Sequence, residues 1–204
     1  MNYEAILFDA DGMTLVSRRF SEQIEQDYGI PWARMKPFFD GPFVQCKLGR
    51  ADLKEELSKV MLDWGWKGSV EELMAYWFAI GSTPSPEIVA LAKELRSGGV
   101  KCFLATNQEK YRAEYLWNVA GLKDVFDGLL ASSDFGHMKD EVAYFAEALV
   151  RLETCVGAPL GASLLKERIL FVDHEEKNLA AAKEFGFAAY EYHDIQSFKE
   201  FVAF

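Results

Sequence analysis

Cysteine and positive charge are both scarce in this sequence. The three cysteines, Cys46, Cys102 and Cys155, are far apart and form no Cys-x-x-Cys pair. An odd number of separated cysteines argues against a disulfide framework and predicts buried, inert thiols in a reducing compartment. Lysine and arginine total 22 against 32 acidic residues, a formal net charge of −10. Because nucleic acids and anionic membranes are bound by basic surfaces, we expect no nucleic-acid partner and no membrane partner.

Long hydrophobic runs are also missing. No stretch approaches the roughly 18 apolar residues of a membrane span, and the first residues show no basic segment followed by an apolar one. We therefore expect a cytoplasmic protein without a signal peptide. The chain does contain a large apolar fraction, since 50% of its 204 residues are hydrophobic and 14% are aromatic. This length and composition predict one α/β domain with a large core and a smaller appendage.

Two acidic residues directly follow the first apolar run, residues 5–8. They stand in the tetrapeptide Asp9-Ala10-Asp11-Gly12. Ligands of parallel α/β sheets bind at the carboxyl ends of the strands. Two neighbouring carboxylates need their charge offset, and a metal ion can do so while one acid acts as nucleophile and the other as acid/base. An acidic turn is the alternative interpretation, because Asp and Gly are common in turns.

The order of elements predicts the fold class. After residue 84, apolar strand patterns at 100–105, 129–131, 169–172 and 188–192 alternate with amphipathic helix patterns. Such alternation predicts an α/β fold with a Rossmann-like, three-layer parallel sheet. The segment 16–83 has no convincing strand and predicts helices at 19–28, 33–39, 52–64 and 70–80. We expect residues 1–15 and 84–204 to form the core domain, and 16–83 to form a helical cap inserted after the first strand.

Polar residues end each of the predicted central strands. Thr106 and Asn107 follow the second strand, Lys139 comes shortly after the third, and Asp173 ends the fourth. Taken singly, Thr106 and Asp173 are equally explained as helix caps and Lys139 as a surface lysine. Taken together with Asp9, they predict one site, because carboxyl ends of parallel strands lie along one edge of a sheet.

These residues carry a resemblance to a known family. Asp9-Ala10-Asp11-Gly12, Thr106-Asn107, Lys139 and Asp173 resemble the four signature motifs of the haloacid dehalogenase (HAD) superfamily, and the resemblance covers nearly the whole chain. The helical insertion is similar to the small α-helical cap of subclass I. The set resembles members that hydrolyse phosphate esters. It implies a Mg²⁺-dependent phosphoric monoester hydrolase acting on a small phosphorylated metabolite, with a sugar phosphate as our guess.

The resemblance also implies a role for each site residue. Asp9 would attack phosphorus and form an aspartyl-phosphate, and Asp11 would protonate the leaving alcohol and then activate water. Mg²⁺ would be held by the Asp9 carboxylate, the Asp11 backbone carbonyl and Asp173. The phosphate-binding residues would be Thr106, Asn107 and Lys139, of which Thr106 and Lys139 also count as catalytic.

The last motif departs from the family pattern. It reads Asp173-His174-Glu175-Glu176, so that His174 stands where a metal-binding acid is usual. Imidazole is a poorer ligand for Mg²⁺ than carboxylate. Three outcomes stay open: Asp173 holds the metal alone or with Glu175 or Glu176 through water, His174 is a ligand and the site prefers Mn²⁺ or Co²⁺, or metal binding is weak and the protein catalytically poor.

Other functions of the same fold compete with the phosphatase hypothesis. A 2-haloacid dehalogenase needs no metal and typically lacks the second acid, so Asp11 argues against it. A phosphomutase and a non-catalytic binding or regulatory protein stay open, the latter because of His174. Substrate specificity should come from the cap, whose candidate contacts are equally explained as solvated surface charges: Arg18, Arg19, Lys47 and Arg50. The sequence makes no prediction of oligomeric state.

Overall fold

A computed structural model describes residues 3–16, 18–156 and 164–203. Five strands form one parallel sheet with the order β3-β2-β1-β4-β5. The strands are β1 (Ala5–Asp9), β2 (Lys101–Thr106), β3 (Gly128–Ala131), β4 (Ile169–Asp173) and β5 (Ala188–Glu191). The predicted α/β class and the Rossmann-like parallel sheet are thereby confirmed.

The register of β1 brings three motifs to one edge of the sheet. Asp9 lies opposite Ala105 of β2, and Phe8 lies opposite Val172 of β4. The next residues of these neighbours are Thr106 and Asp173. The first strand is therefore the centre of the sheet, and its carboxyl end is flanked on both sides by polar residues.

Helices cover the sheet and form the insertion. In chain order they are α1 (Phe20–Tyr28), α2 (Trp32–Asp40), α3 (Pro42–Lys47), α4 (Leu53–Ser58), α5 (Met61–Trp64), α6 (Val70–Ile80), α7 (Pro86–Ser97), α8 (Lys110–Asn118), α9 (Ser132–Phe135), α10 (Val142–Val156), α11 (Glu176–Phe185) and α12 (Ile195–Val202). Short 3₁₀ turns occur at Leu122–Asp124 and Lys166–Arg168. Among the helices of the described ranges, none has the length and hydrophobicity of a transmembrane span.

Apolar side chains on the two faces of the sheet form separate cores. Ile6 and Phe8 pack on one face with residues of α7, α8 and α12, whereas Ala5 and Leu7 pack on the other with α10 and α11. Successive residues of a strand point to opposite faces, and burial on both faces requires an unbroken apolar run. The run at residues 5–8 meets this requirement, and the result is a three-layer arrangement.

Helices α1 to α6 share a third core that is rich in aromatic rings. Phe38, Trp64, Trp77 and Phe78 are buried in it, in contact with other rings of the same segment. This agrees with an inserted cap that has its own core. The domain boundaries at 15/16 and 83/84 stay predictions.

Two local predictions were wrong, and one helix of the insertion was missed. The helix predicted at 52–64 is two helices, α4 and α5; the Ser58 hydroxyl donates to the Glu55 carbonyl at 2.7 Å, which competes with the helical bonding there. Helix α3 was not predicted, although Pro42 occupies its first turn. Cys155 is exposed, whereas Cys46 and Cys102 are buried as expected.

Candidate active site

The carboxyl ends of β1 and β4 hold two buried carboxylates with a lysine between them. Lys139 Nζ donates to Asp9 Oδ1 and, at 2.8 Å, to Asp173 Oδ2, and all three side chains are almost fully buried. Burial by itself lowers the pKa of Lys139, but the charges of Asp9 and Asp173 outweigh it and hold that pKa above its ordinary value. The lysine is therefore charged, and it offsets the repulsion between the two acids.

Residues at the end of β2 complete this edge. The Asn107 side-chain oxygen accepts a hydrogen bond from the Lys139 backbone N–H at 2.9 Å, which fixes the lysine loop to the sheet. Thr106 is buried beside it. Because α8 begins at Lys110 with Glu109 as its N-cap, Thr106 is not a helix cap. The structure thus brings Thr106, Asn107 and Lys139 together, as the sequence predicts.

Asp173 is fixed by the turn that follows it. Its Oδ1 accepts from the Glu175 backbone N–H at 2.8 Å, and its Oδ2 accepts from the Asn178 side-chain amide at 3.0 Å. Asn178 is buried and lies in the first turn of α11. Sequence reasoning missed Asn178. The sequence signal for it was an amide side chain five residues after Asp173, on the inner face of α11.

His174 faces the same carboxylates from the solvent side. Its Nδ1 lies 3.1 Å from Asp9 Oδ2 and 3.8 Å from Asp173 Oδ1. The hydrogen bond with Asp9 raises the pKa of His174 above its ordinary value. The ring lies against Gly12, where a Cβ would be 3.0 Å from the imidazole and where φ is +86°. The positive φ therefore favours glycine at this position, and the imidazole ring packs closely against the space that a Cβ would occupy.

Asp9, Asp173 and His174 can hold a metal ion. Within the described ranges they form a group whose ligand atoms all lie within 4.8 Å of one another. Two carboxylates and an imidazole suit a divalent ion such as Mg²⁺, Mn²⁺ or Co²⁺. The Glu175 carboxylate lies outside this group and accepts from the Asn178 amide at 3.3 Å. His174 and Glu175 were predicted as possible additional metal ligands. In the structure His174 belongs to the group of three, and Glu175 lies beside that group.

The carboxylate of Asp11 points to a different set of partners. Arg112 donates to it through Nη2 at 2.7 Å and Nη1 at 2.9 Å, and the Gln108 amide also donates to it. Arg112 Nη2 donates in addition to the Gly81 carbonyl at 2.6 Å, just after the last cap helix. Sequence reasoning missed both Gln108 and Arg112. A basic residue in the first turn of α8, where a cation opposes the helix dipole, was a usable signal.

These residues line a cleft of about 240 Å³ between the sheet edge and the cap. The lining side chains are Asp9, Asp11, Lys47, Thr106, Asn107, Met138, Lys139, Asp173, His174, Glu175, Lys177 and Asn178. Of the four predicted cap contacts, Lys47 lines the cleft. Arg18 donates to Gln23, Arg19 pairs with Glu22 and Arg50 donates to the Gly136 carbonyl, so these three point elsewhere.

Comparison with known proteins places the fold and site in context. The family model of haloacid dehalogenase-like hydrolases matches residues 3–186. None of the curated proteins matches this chain. A HAD family enzyme from Bacteroides thetaiotaomicron, solved with magnesium and inorganic phosphate, is 20% identical with a TM-score of 0.74, over 94% of both chains.

Two further solved structures share the fold. A predicted HAD-like family hydrolase from Porphyromonas gingivalis is 20% identical with a TM-score of 0.75, over 99% of this chain and 98% of that one. L-2-haloacid dehalogenase from Xanthobacter autotrophicus is 20% identical with a TM-score of 0.64, over 98% of this chain and 83% of that one. With the family model matching most of its length, this chain belongs to the haloacid dehalogenase-like hydrolases.

Proposed function

We propose that this hydrolase is a divalent-metal-dependent phosphatase of small phosphate monoesters, with sugar phosphates as the first class to test. One observation carries the proposal: Asp9 is buried beside a charged Lys139, and a second acid, Asp11, follows two residues later at the mouth of the same cleft. A carboxylate nucleophile, a fixed cation and a separate acid/base are the groups that phosphate-ester hydrolysis in two steps requires.

In the first step, a carboxylate oxygen of Asp9 forms a bond to phosphorus as the bond to the alcohol oxygen breaks. Asp11 gives its proton to that alcohol, and in the second step takes a proton from the water that attacks the aspartyl-phosphate. The proton taken from water restores the acid form of Asp11, and its side chain, which is 47% exposed, can exchange protons with solvent between turnovers. Attack by water releases phosphate and regenerates the Asp9 carboxylate.

The remaining groups of the cleft would hold the phosphate. Lys139 is a fixed positive charge beside Asp9, and the buried Thr106 and the neighbouring Asn107 supply donors at the same edge. Asp9, Asp173 and His174 would hold a divalent ion, together with the Asp11 backbone carbonyl that the family resemblance implies. When bound, such an ion supplies positive charge for the oxygens of the transferring group.

The test measures hydrolysis of p-nitrophenyl phosphate with Mg²⁺, Mn²⁺ and Co²⁺. We expect metal-dependent activity that Asp9→Asn abolishes, whereas Asp63→Asn, at an exposed position of α5, leaves it intact. Full activity in EDTA would contradict the metal dependence. Inactivity with every ion on a panel of phosphate esters would favour the regulatory alternative. Halide release from 2-chloropropionate would favour a dehalogenase.

A further inference from the structure

Lys47 brings a positive charge from the cap into the catalytic cleft. It is the last residue of α3, and its backbone carbonyl accepts a hydrogen bond from the Ser132 hydroxyl at 2.7 Å. Ser132 lies directly after β3, so this bond joins the cap to the sheet edge. The Lys47 side chain lines the same cleft as Asp9 and Thr106. Its place is therefore fixed by a bond across the cap–core boundary.

The ammonium of Lys47 lacks an acidic partner. Within the described ranges, three other cap lysines, Lys36, Lys54 and Lys59, pair with carboxylates, whereas Lys47 has none within 4.0 Å. Its recorded neighbour is the Phe43 ring, whose centroid is 5.4 Å away. Burial lowers the pKa of Lys47 and the charge of Lys177 lowers it further; the charges of Glu175, Asp140 and Asp11, all beyond 4.0 Å, raise it by less. A half-buried cation without a counter-ion is costly, and a bound anion would offset that cost.

Lys177 approaches the cleft from the core. It lies in the first turn of α11 and its Nζ is 3.5 Å from Asp140 and 3.6 Å from Glu175. Both distances are longer than those of charge-assisted hydrogen bonds, and the side chain is 60% exposed, so Lys177 can turn toward a ligand. Two lysines thus line this cleft in addition to Lys139, which already contacts both buried carboxylates.

We propose that Lys47, assisted by Lys177, binds a second anionic group on the alcohol part of the substrate. The substrate is then a short phosphate ester that also carries a carboxylate or a second phosphate. This inference rests on the proposed phosphatase function. The volume of the cleft, about 240 Å³, favours a short alcohol part. The cap-derived lysine would thereby give the enzyme its preference among phosphate monoesters.

The experiment compares matched substrates in matched variants. Ethyl phosphate has a neutral alcohol part, 2-phosphoglycolate has a carboxylate of similar size, and ethylene glycol bisphosphate has a second phosphate. We expect one of the two charged substrates to be preferred by the wild type. Lys47→Met should lower kcat/KM for that substrate about tenfold more than for ethyl phosphate. The change should come mainly from a higher KM, and its size is that expected for the loss of one charge-assisted hydrogen bond. Lys67→Met, an exposed cap lysine outside the cleft, should leave the substrate ratio unchanged.

Binding is measured separately from turnover. Calorimetry on the Asp9→Asn variant should show tighter binding of the preferred charged substrate than of ethyl phosphate, and Lys47→Met in that background should remove the difference. An equal loss with all three substrates would overturn the proposal, because Lys47 would then hold the transferring phosphate itself. Hydrolysis without any preference for a charged alcohol part would also overturn it while leaving the phosphatase function intact. Failure to hydrolyse any of the three would instead count against that function.

Discussion

Arg112 holds the carboxylate of Asp11 with two hydrogen bonds, of 2.7 and 2.9 Å, and the same guanidinium donates to the Gly81 carbonyl at 2.6 Å. Asp11 is the proposed acid/base, and Gly81 follows the last cap helix. A planar guanidinium that pairs with both carboxylate oxygens fixes the plane of the carboxylate as well as its distance. The position of the proposed acid/base is therefore tied to the end of α6, the last helix of the segment 16–83.

Arg112→Lys should reduce activity in a way that depends on the leaving group. Lysine keeps the charge but cannot form the paired hydrogen bonds, so Asp11 is left misplaced. We expect kcat/KM for ethyl phosphate, which reports the step in which the alcohol leaves, to fall roughly 10- to 100-fold; this is less than the full general-acid contribution of about 10²- to 10⁴-fold because Asp11 is misplaced and not removed. The loss should be much smaller for p-nitrophenyl phosphate, because its phenolate leaves without a proton. Arg96→Lys, at the Asp127 ion pair, is the control; equal losses with both substrates would refute this role.

Lys139→Met should destabilise the protein strongly in the absence of metal. It would leave the buried carboxylates of Asp9 and Asp173 without a cation, at a cost of about 3 kcal/mol in the free energy of unfolding. Urea unfolding in EDTA measures this. The matched control is Lys101→Met, which removes a half-exposed lysine that pairs with Asp127. This substitution should lower the free energy of unfolding by less than about 1 kcal/mol. Similar losses in the two variants would contradict the charge-offset role of Lys139.

His174→Asp should shift metal preference toward Mg²⁺. The substitution replaces an imidazole nitrogen with carboxylate oxygen, the ligand type that Mg²⁺ prefers over Mn²⁺ or Co²⁺. Titration calorimetry with each ion should show a larger gain in affinity for Mg²⁺ than for Co²⁺. His193→Asp, at an exposed histidine outside the cleft, is the control. No change in relative affinity would indicate that His174 is not a ligand.

Gly49→Ala should disturb the docking of the cap on the core. At Gly49 φ is +67°, and an added Cβ would lie 2.3 Å from the Ser133 carbonyl oxygen, which is part of α9. Gly29 has a φ of +66° with nothing within 4 Å of an added Cβ, so Gly29→Ala reproduces the backbone strain alone. We expect Gly29→Ala to lose about 1 kcal/mol of stability, and Gly49→Ala to lose more because of its additional clash with the Ser133 carbonyl. Only Gly49→Ala should also raise KM, because it alone disturbs the contact with α9. Identical KM values in the two variants would contradict a role of Gly49 in docking the cap on the core.

Glu109 should make stability depend on pH. Burial raises the pKa of this carboxyl from 4.5 to about 7 in the folded protein. Because the folded state then binds the proton more tightly than the unfolded state, stability is lost as pH rises through this interval. Relative to Glu109→Gln, the wild type should lose about 2 kcal/mol between pH 5 and pH 8. Denaturant unfolding at several pH values measures this, with exposed Glu94→Gln as a control; a constant difference would contradict the prediction.

The strands and the motif acids were predictable because their signals are local. The apolar run at residues 5–8 indicates a strand buried on both faces of a parallel sheet, and Asp9 ends this strand in the structure as expected. Helix α7 began at Pro86 with Ser85 as its N-cap, as the sequence indicates. The strands that end at Asp9, Thr106 and Asp173 are parallel. Their common direction is sufficient to bring these three residues to the same edge of the sheet.

Local signals could mark Asn178 and Arg112 as candidates, but which motif residue a distant side chain contacts was not predictable, since that depends on packing between distant segments. Nothing in the sequence near Asp11 specifies that its carboxylate meets Arg112, 101 residues later. Likewise, Lys47 enters the cleft while Arg50, three residues on, contacts the Gly136 carbonyl. Lys47 ends α3 and Arg50 follows it by three residues. The contact between this segment and the core decides which of the two side chains faces the cleft.

The central position of β1 has a consequence for synthesis of the chain. The strand made first pairs on one side with β4, whose residues emerge some 160 positions later. Until then Asp9 lacks its neighbour Asp173, and one edge of a strand with four consecutive apolar residues is uncovered. Contacts of such long sequence separation form slowly. A ribosome-bound chain therefore lacks the pairing of β1 with β4, and the proximity of Asp9 to Asp173, until β4 has been made; we expect chaperones to engage β1 during that interval.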